Sequence, residues 1–400
     1  FDGRIAEDFK LATGTFVSVG PLRGRIIAAG APFVQDAVIT GLNRNEVGAM
    51  LFPTAAVRGL AGLPADAPLA EVLAHPKVLA HFQRVIDDLA AQSTGSANRV
   101  AREVGRLTYT QLLNSRGGIE ADLTVARLAE DRFYIVTGTG FRTHDFGWIA
   151  DHLPKTGVSF EDVTEGWGTL SLMGPRARDI LAAVTAEDVS NAALPFGSAR
   201  ILTIAGVKVR ALRVTYVGEL GWELHCPINQ LGEVYDALMA ADPALRPVGY
   251  RALESLRLEK GYRAWSSDIT PNDTPFEAGL GWAVKLKSST PFLGRAALEA
   301  AQGKPLTKSL MTFTVEDPAA VLVGRETILR DGQAVGYLTS GGYGYSIGKS
   351  IGLGYVRHEA GVTEPWLTAG RYALVIAGAE TPATLSLKPL VDPEGARIKA

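Results

Sequence analysis

Asp122 follows the turn Gly117-Gly118 and opens a run of alternating apolar positions. A carboxylate placed there can relay a proton or stabilise a developing positive charge. It can equally cap the turn, since Asp is common beside glycine turns. Glu120, two residues earlier, falls on the same face of a strand. Glu219 sits in the tight connection Tyr216-Val217-Gly218-Glu219. Its carboxylate can accept two adjacent N–H groups, as a carboxylate accepts Arg, or it can stay a solvated acid at a hairpin tip. Arg257 lies in the helical run 253–259, either holding a carbonyl or carboxylate or facing water. Trp282 and Tyr216 offer flat faces for a flat ring, and core packing is the other reading of both. Glu277, beside Pro275 and Phe276, offers a second polar wall. Glu223 reads as structural or as a support behind the residues that touch a ligand. His144 and Asp145 read as structural: neighbours on a strand point to opposite faces, and no Ser or Cys nucleophile joins them in a recognisable motif.

The elements that must position these residues follow from periodicity. Residues 107–113 and 121–128 read as strands around the turn Ser115-Arg116-Gly117-Gly118. Residues 132–139 read as a third strand. A helix over 174–184 starts at Pro175, where a first-turn Pro is expected. Strands over 209–216 and 221–226 are joined by residues 217–220, and helices follow over 230–241 and 249–259. From about residue 307 the chain is strand-rich with turns such as Ser340-Gly341-Gly342-Tyr343-Gly344, the pattern of a small β-barrel or sandwich. Before residue 102 the pattern is mixed. A hairpin follows Asp2-Gly3, with Phe9, Leu11, Phe16 and Val17 as its apolar positions. A short helix is expected over 22–29, a strand over 33–40, and one or two helices over 71–92 with a boundary at Pro76.

Composition removes several classes of function. Forty basic residues stand against forty-two acidic ones, a net charge of −2, which argues against a nucleic-acid or acidic-membrane partner. Cys226 is the only cysteine, so neither an intrachain disulfide nor a thiolate metal cluster can form. The six His residues lack metal-ligand spacing, and no metal is expected. A reducing, cytoplasmic compartment fits this usage. No apolar run reaches the length of a membrane span. The first residue is Phe1 rather than Met, which suggests a processed start or a piece of a longer polypeptide.

Residues 1–102 resemble the small C-terminal subdomain of an acyl-adenylate-forming ligase, feruloyl-CoA synthetase in particular. The runs F-D-G-R-I-A-E-D-F-K-L, V-Q-D-A-V-I-T-G and L-A-A-Q-S-T-G-S-A-N-R-V-A-R carry the resemblance. The phosphate loop of those ligases and the Lys after their last Gly-rich segment are not found, so no adenylating activity is expected.

From Gly105 onward the chain resembles the glycine cleavage T protein family, in the branch of the dimethylglycine and sarcosine dehydrogenase folate domains. The resemblance rests on G-R-L-T-Y-T-Q-L-L-N-S-R-G-G-I-E-A-D-L-T-V-A-R-L, I-V-T-G-T-G-F-R-T-H-D, T-Y-V-G-E-L-G-W-E-L-H-C-P and the long run from Gly249 to Leu286. Gly138 departs from the wider family but matches that branch. The resemblance implies tetrahydrofolate as ligand. It implies that Asp122 faces the two reacting nitrogens and that Glu219 anchors the pterin. It further implies that Arg257 points at the folate and that Trp282, Tyr216 and Glu277 line the cavity, with Tyr343 and Tyr345 near its mouth. The implied fold is α+β and multidomain: a small α+β lobe over 1–102, an incomplete T-protein-like folate-binding domain over 103–306, and a C-terminal β-barrel over 307–400. The G-x-G-x-x-G of an FAD domain is not found. The implied reaction is transfer of an aminomethyl or methylene unit, giving 5,10-methylenetetrahydrofolate. A small-molecule C1 donor and a separate flavin dehydrogenase are the implied partners. The alternative is a truncated fusion that binds folate or a partner without turnover. If the strands before residue 40 pair with the strand over 107–113, the enzyme reading gains; if they form their own lobe, the alternative gains.

Overall fold

The chain folds as two units: Phe1–Glu103 with Lys285–Phe292, and Val104–Val284 with Leu293–Ala400. The computed structural model describes residues 9–10, 16–17, 19–40, 47–64, 66–91, 104–288, 290–317 and 319–400.

In the first unit β1 (Phe9–Lys10) pairs with β2 (Phe16–Val17), and β3 (Val34–Thr40) pairs antiparallel with β4 (Gly48–Pro53). Helices α1 (Val19–Gly30), α2 (Val57–Ala61), α3 (Leu69–Ala74) and α4 (Pro76–Ala91) complete it. Leu22 and Ile26 of α1, Ala37 and Ile39 of β3, and Val85 and Leu89 of α4 form its main core. The hairpin, the helix over 22–29, the strand over 33–40 and the break at Pro76 are all present. The Asp2-Gly3 turn and Leu11 lie outside the described residues.

The second unit opens with an antiparallel sheet in the order β5-β6-β7: Leu107–Leu113, Ile119–Arg127 and Phe133–Val136. Among the described residues β6 is the only strand beside β5. The third strand is shorter than expected, because Gly138 opens a single helical turn and α5 (Arg142–His152) follows at once. A second antiparallel sheet runs β8-β11-β10-β9, with β8 at Trp167–Met173, β9 at Ala199–Ile204, β10 at Val207–Leu212 and β11 at Gly221–Pro227. Alternation turns Val207, Val209 and Ala211 of β10 and Trp222, Leu224 and Cys226 of β11 to one face. There they meet Ile180 and Leu181 of α6 (Ala177–Val184) and Val234 and Leu238 of α7 (Leu231–Ala241) in one core. Each Val, Leu or Ile side chain so withdrawn from water contributes about 1.5–3 kcal/mol, which fixes which way the opposite, polar face points. Strand β10 stops at Leu212 rather than continuing to residue 216. The next residue, Arg213, is fully buried and donates to the carbonyls of Leu194 and Ala400.

Helices α8 (Tyr250–Glu259) and α9 (Arg295–Ala301) precede the expected barrel. It is closed, in the order β12-β15-β14-β13-β16-β17. Its strands are β12 (Lys308–Val315), β13 (Thr327–Arg330), β14 (Gln333–Gly344), β15 (Lys349–Arg357), β16 (Tyr372–Ile376) and β17 (Ala379–Ser386). Helix α10 (Glu364–Ala369) crosses between β15 and β16, and α11 (Ala396–Lys399) ends the chain. Phe313, Ile328, Leu338, Val356 and Leu374 fill the barrel. Closure removes the open sheet edges that would otherwise invite pairing. Among the described residues no helix is long and apolar enough to cross a membrane.

Candidate functional site

Strand β6 buries Ile119, Ala121 and Leu123 on one face and turns Glu120, Asp122 and Thr124 to the other. Across the ladder Gln111 pairs with Asp122 and Tyr109 with Thr124, so all four side chains share that second face. The Tyr109 hydroxyl donates to Asp122 Oδ2 at 3.1 Å. The Tyr109 ring stacks on Trp282 with centroids 5.7 Å apart and planes 25° from parallel. Burial pushes the Asp122 carboxyl up to about 6, and the negative charge of Asp145 adds to this, against the opposing hydrogen bond from Tyr109. Burial and the neighbouring Asp122 push the Tyr109 hydroxyl up as well. Tyr216 stands within reach of the same charge: Asp122 is among the groups that raise its hydroxyl, after burial. Its hydroxyl donates to the Arg263 carbonyl at 3.0 Å, and its ring stacks on Tyr262.

The second sheet supplies a facing wall. On β11 the core takes Trp222, Leu224 and Cys226, which leaves Glu223 and His225 on the opposite face. His225 Nδ1 lies 3.2 Å from the Tyr134 hydroxyl and 3.1 Å from Thr169 Oγ1. Its Nε2 is 3.4 Å from Glu223 Oε2. Tyr134 pairs with Ala126, so it belongs to the Asp122 face of the first sheet. The Tyr134–His225 contact therefore sets the Asp122-bearing face against the Glu223-bearing face. Arg210 closes this end, its guanidinium 3.8 Å over Trp167 and 4.7 Å over Tyr134.

The remaining expected residues lie differently. Glu219 is a salt-bridge partner of Arg397, at 2.9 Å. Arg257 is 2% exposed, and each of its N–H groups meets a protein acceptor. Nε and Nη2 go to Glu254, Nη1 to Asp268 at 2.7 Å and to the Tyr262 carbonyl, and Nη2 also to Ser340 Oγ. No donor is left over for a ligand. Glu277 accepts from the backbone N–H and hydroxyl of Thr274, with Lys308 3.8 Å away. Tyr343 and Tyr345 pack edge to face. The reading of His144 and Asp145 as strand neighbours is overturned, because both lie on α5 and pair with each other at 2.9 Å.

Sequence reasoning missed Tyr109 altogether and set Glu223 aside. Tyr109 was findable only through hairpin register, and an irregularity between Leu112 and Leu113 shifts that register by one. Glu223 was findable by alternation with the apolar Trp222 and Leu224.

Residues 89–288 match the GCVT N-terminal domain, and residues 308–392 match the glycine cleavage T-protein C-terminal barrel domain. Human sarcosine dehydrogenase, a mitochondrial protein, is 41% identical over 319 residues, which is 75% of this chain and 35% of that protein. Mouse dimethylglycine dehydrogenase, also mitochondrial, is 34% identical over 304 residues, 75% of this chain and 34% of that one. The chain thus spans about a third of either dehydrogenase. The aminomethyltransferase of Halothermothrix orenii is 33% identical over 309 residues, 76% of this chain and 82% of that protein. The crystal structure of the glycine cleavage system aminomethyltransferase T from Bartonella henselae superposes with a TM-score of 0.62 at 27% identity, covering 78% of this chain and 82% of that one.

Proposed function

We propose a function on one premise: the chain belongs to the glycine cleavage T-protein family. The reaction is transfer of a one-carbon unit to tetrahydrofolate, giving 5,10-methylenetetrahydrofolate. The donor is a small molecule, a methyleneamine or formaldehyde equivalent. A separate flavin dehydrogenase is the proposed supplier of that donor.

The observation that carries this reading is Asp122, half-buried on the polar face of β6 with the Tyr109 hydroxyl on its carboxylate, in surroundings that raise the carboxyl to about 6. An acid or base that titrates near neutrality is suited to move a proton at an amine nitrogen as a new C–N bond forms. Tyr109 holds the carboxylate in place, and the Tyr109–Trp282 stack offers a flat wall to an aromatic ring. Glu223, on the facing sheet with His225 Nε2 3.4 Å from its carboxylate, is the acid better placed to accept paired pterin N–H groups. Glu219 is tied to Arg397 and is the weaker candidate for that anchor. Arg257 and Glu277 act by holding the surrounding backbone rather than the ligand. Tetrahydrofolate itself supplies the two nucleophilic nitrogens; the protein orients them and holds protons.

Asp122→Asn tests this. Calorimetry is expected to find tetrahydrofolate binding within about threefold of the parent chain, while formation of methylenetetrahydrofolate above the uncatalysed background falls by about 10²–10³-fold. A folded chain that binds no tetrahydrofolate sinks the reading. A second reading, binding without turnover, gains from the strands before residue 40, which pair within the first unit, and from the edge position of β5, which leaves one side of the Asp122 sheet without a strand among the described residues. Binding with no turnover above background would favour it.

A further inference from the structure

The His144–Asp145 pair forms an oriented base beside the proposed site. Asp145 lies in the first turn of α5, where a helix N-terminus favours a carboxylate. It is 2% exposed. One of its oxygens is 2.9 Å from His144 Nδ1, and the other accepts from the Thr137 hydroxyl. A ring that donates from Nδ1 to a buried carboxylate keeps its lone pair on Nε2. The ring also packs against Trp265, centroids 5.3 Å apart, and the Trp265 indole is anchored on the Ile119 carbonyl at the start of β6. Nε2 is 3.9 Å from Glu120 Oε2. Glu120 shares the polar face of β6 with Asp122, and its other oxygen accepts from Asn114 Nδ2 at 2.8 Å. Among the described residues the charged groups paired with His144 are Asp145 on its own helix and Glu120 on β6. Arg142, on the same helix, is taken up by Asp162 and Glu165. The His144 side chain is 42% exposed while its partner is buried, so the ring joins the interior to solvent.

The chemistry proposed above calls for such a group. Joining one carbon to two amine nitrogens forms two C–N bonds and breaks the donor's own bonds to that carbon. Both amine N–H protons leave, and the departing amine or water takes them up. For a protonated methyleneamine, CH2=NHR+ and two N–H groups give N–CH2–N and RNH3+, with charge and protons balanced. Asp122 carries one proton at a time, so the second needs another acceptor or an outlet from Asp122.

We propose that His144, oriented by Asp145, is the second acid/base group of this site. Its Nε2 takes up the second N–H proton, by way of Glu120 or a bridging water, and delivers it to the leaving amine or to solvent. This rests on the one-carbon-transfer reading.

The test is turnover of the full chain and of His144→Ala, with and without added imidazole, across pH about 5 to 8. The ring is partly exposed and Thr137 still donates to Asp145 in the variant, and a thermal melt checks that it folds before turnover is compared. Its turnover is expected to fall by about 10²-fold, with tetrahydrofolate affinity within about threefold of the parent. Imidazole is expected to restore about tenfold in the variant and nothing in the parent, and the variant's pH profile loses one limb. A variant with parental turnover overturns the assignment. So does a slowed variant that imidazole does not rescue and whose pH profile keeps its shape. A parent chain without turnover removes the underlying reading and this inference with it, a result distinct from an active parent with an unaffected variant.

Discussion

At Asp122 two opposing effects meet, and burial wins. Desolvation raises the carboxyl by more than the Tyr109 hydroxyl lowers it, leaving it at about 6. A folded-state value above the unfolded one means that the native chain binds the proton more tightly. The resulting stability is complete below about pH 4 and is lost as pH rises through about 6. Asp122→Asn is therefore expected to raise stability relative to the parent at pH 7.5, by on the order of 2 kcal/mol, and to give little gain at pH 4. Thermal melts at the two pH values check this. Tyr109→Phe removes the opposing hydrogen bond and is expected to move the Asp122 titration further up, readable in the pH profile of turnover. The two candidate anchors separate by binding. Glu223→Gln is expected to weaken tetrahydrofolate by about tenfold or more, as loss of a charge-assisted bond does. Glu219→Gln breaks a bridge to the exposed Arg397 and is expected to change affinity by less than about threefold. The reverse order in calorimetry would return the anchor to Glu219.

The hairpin β5–β6 is the element that presents Asp122, and its turn is held from inside. Asn114 Oδ1 accepts from the backbone N–H of Arg116 and of Gly118, while Nδ2 reaches Glu120 and the Pro271 carbonyl. Gly118 is required by close approach: a Cβ there would lie 1.9 Å from the Pro271 oxygen and 2.8 Å from Asn114 Nδ2. Backbone on one side and a fully engaged amide on the other cannot give way cheaply. Gly118→Ala is expected to cost at least about 2 kcal/mol and to lower turnover by displacing the start of β6. Denaturant unfolding and turnover of the same variant check the two halves of that statement.

Across the second unit a buried ionic network ties α8 to the barrel. Arg257 links Glu254, Asp268 and Ser340, Asp268 in turn accepts from Thr339 and Ser340, and Tyr355 donates to the Asp268 carbonyl. Removing one partner strands a fully buried Asp268 carboxylate. Arg257→Ala is expected to destabilise by about 3–5 kcal/mol. A merely ligand-facing Arg would instead lower affinity and leave the melting temperature unchanged, so calorimetric unfolding decides between the two. The match covers about a third of the length of either dehydrogenase.

Periodicity and motif alone gave much of the order of elements, the break at Pro76, the strand-rich C-terminal barrel and the family. These are local properties, set by alternation, turn residues and runs of matching sequence. Tertiary structure alone decided which acids and bases face one another. Glu219 and Glu223 are four residues apart in one connection and strand, yet one pairs with Arg397 and the other faces His225. Arg257 has the pattern of a surface helix residue, yet it is buried because Asp268 and Ser340 arrive from distant segments. His144 and Asp145 pair only because the strand ends at Val136 and a helix begins at Arg142. A side chain's partners depend on register, helix phase and packing between segments far apart in the chain, and no local pattern encodes those.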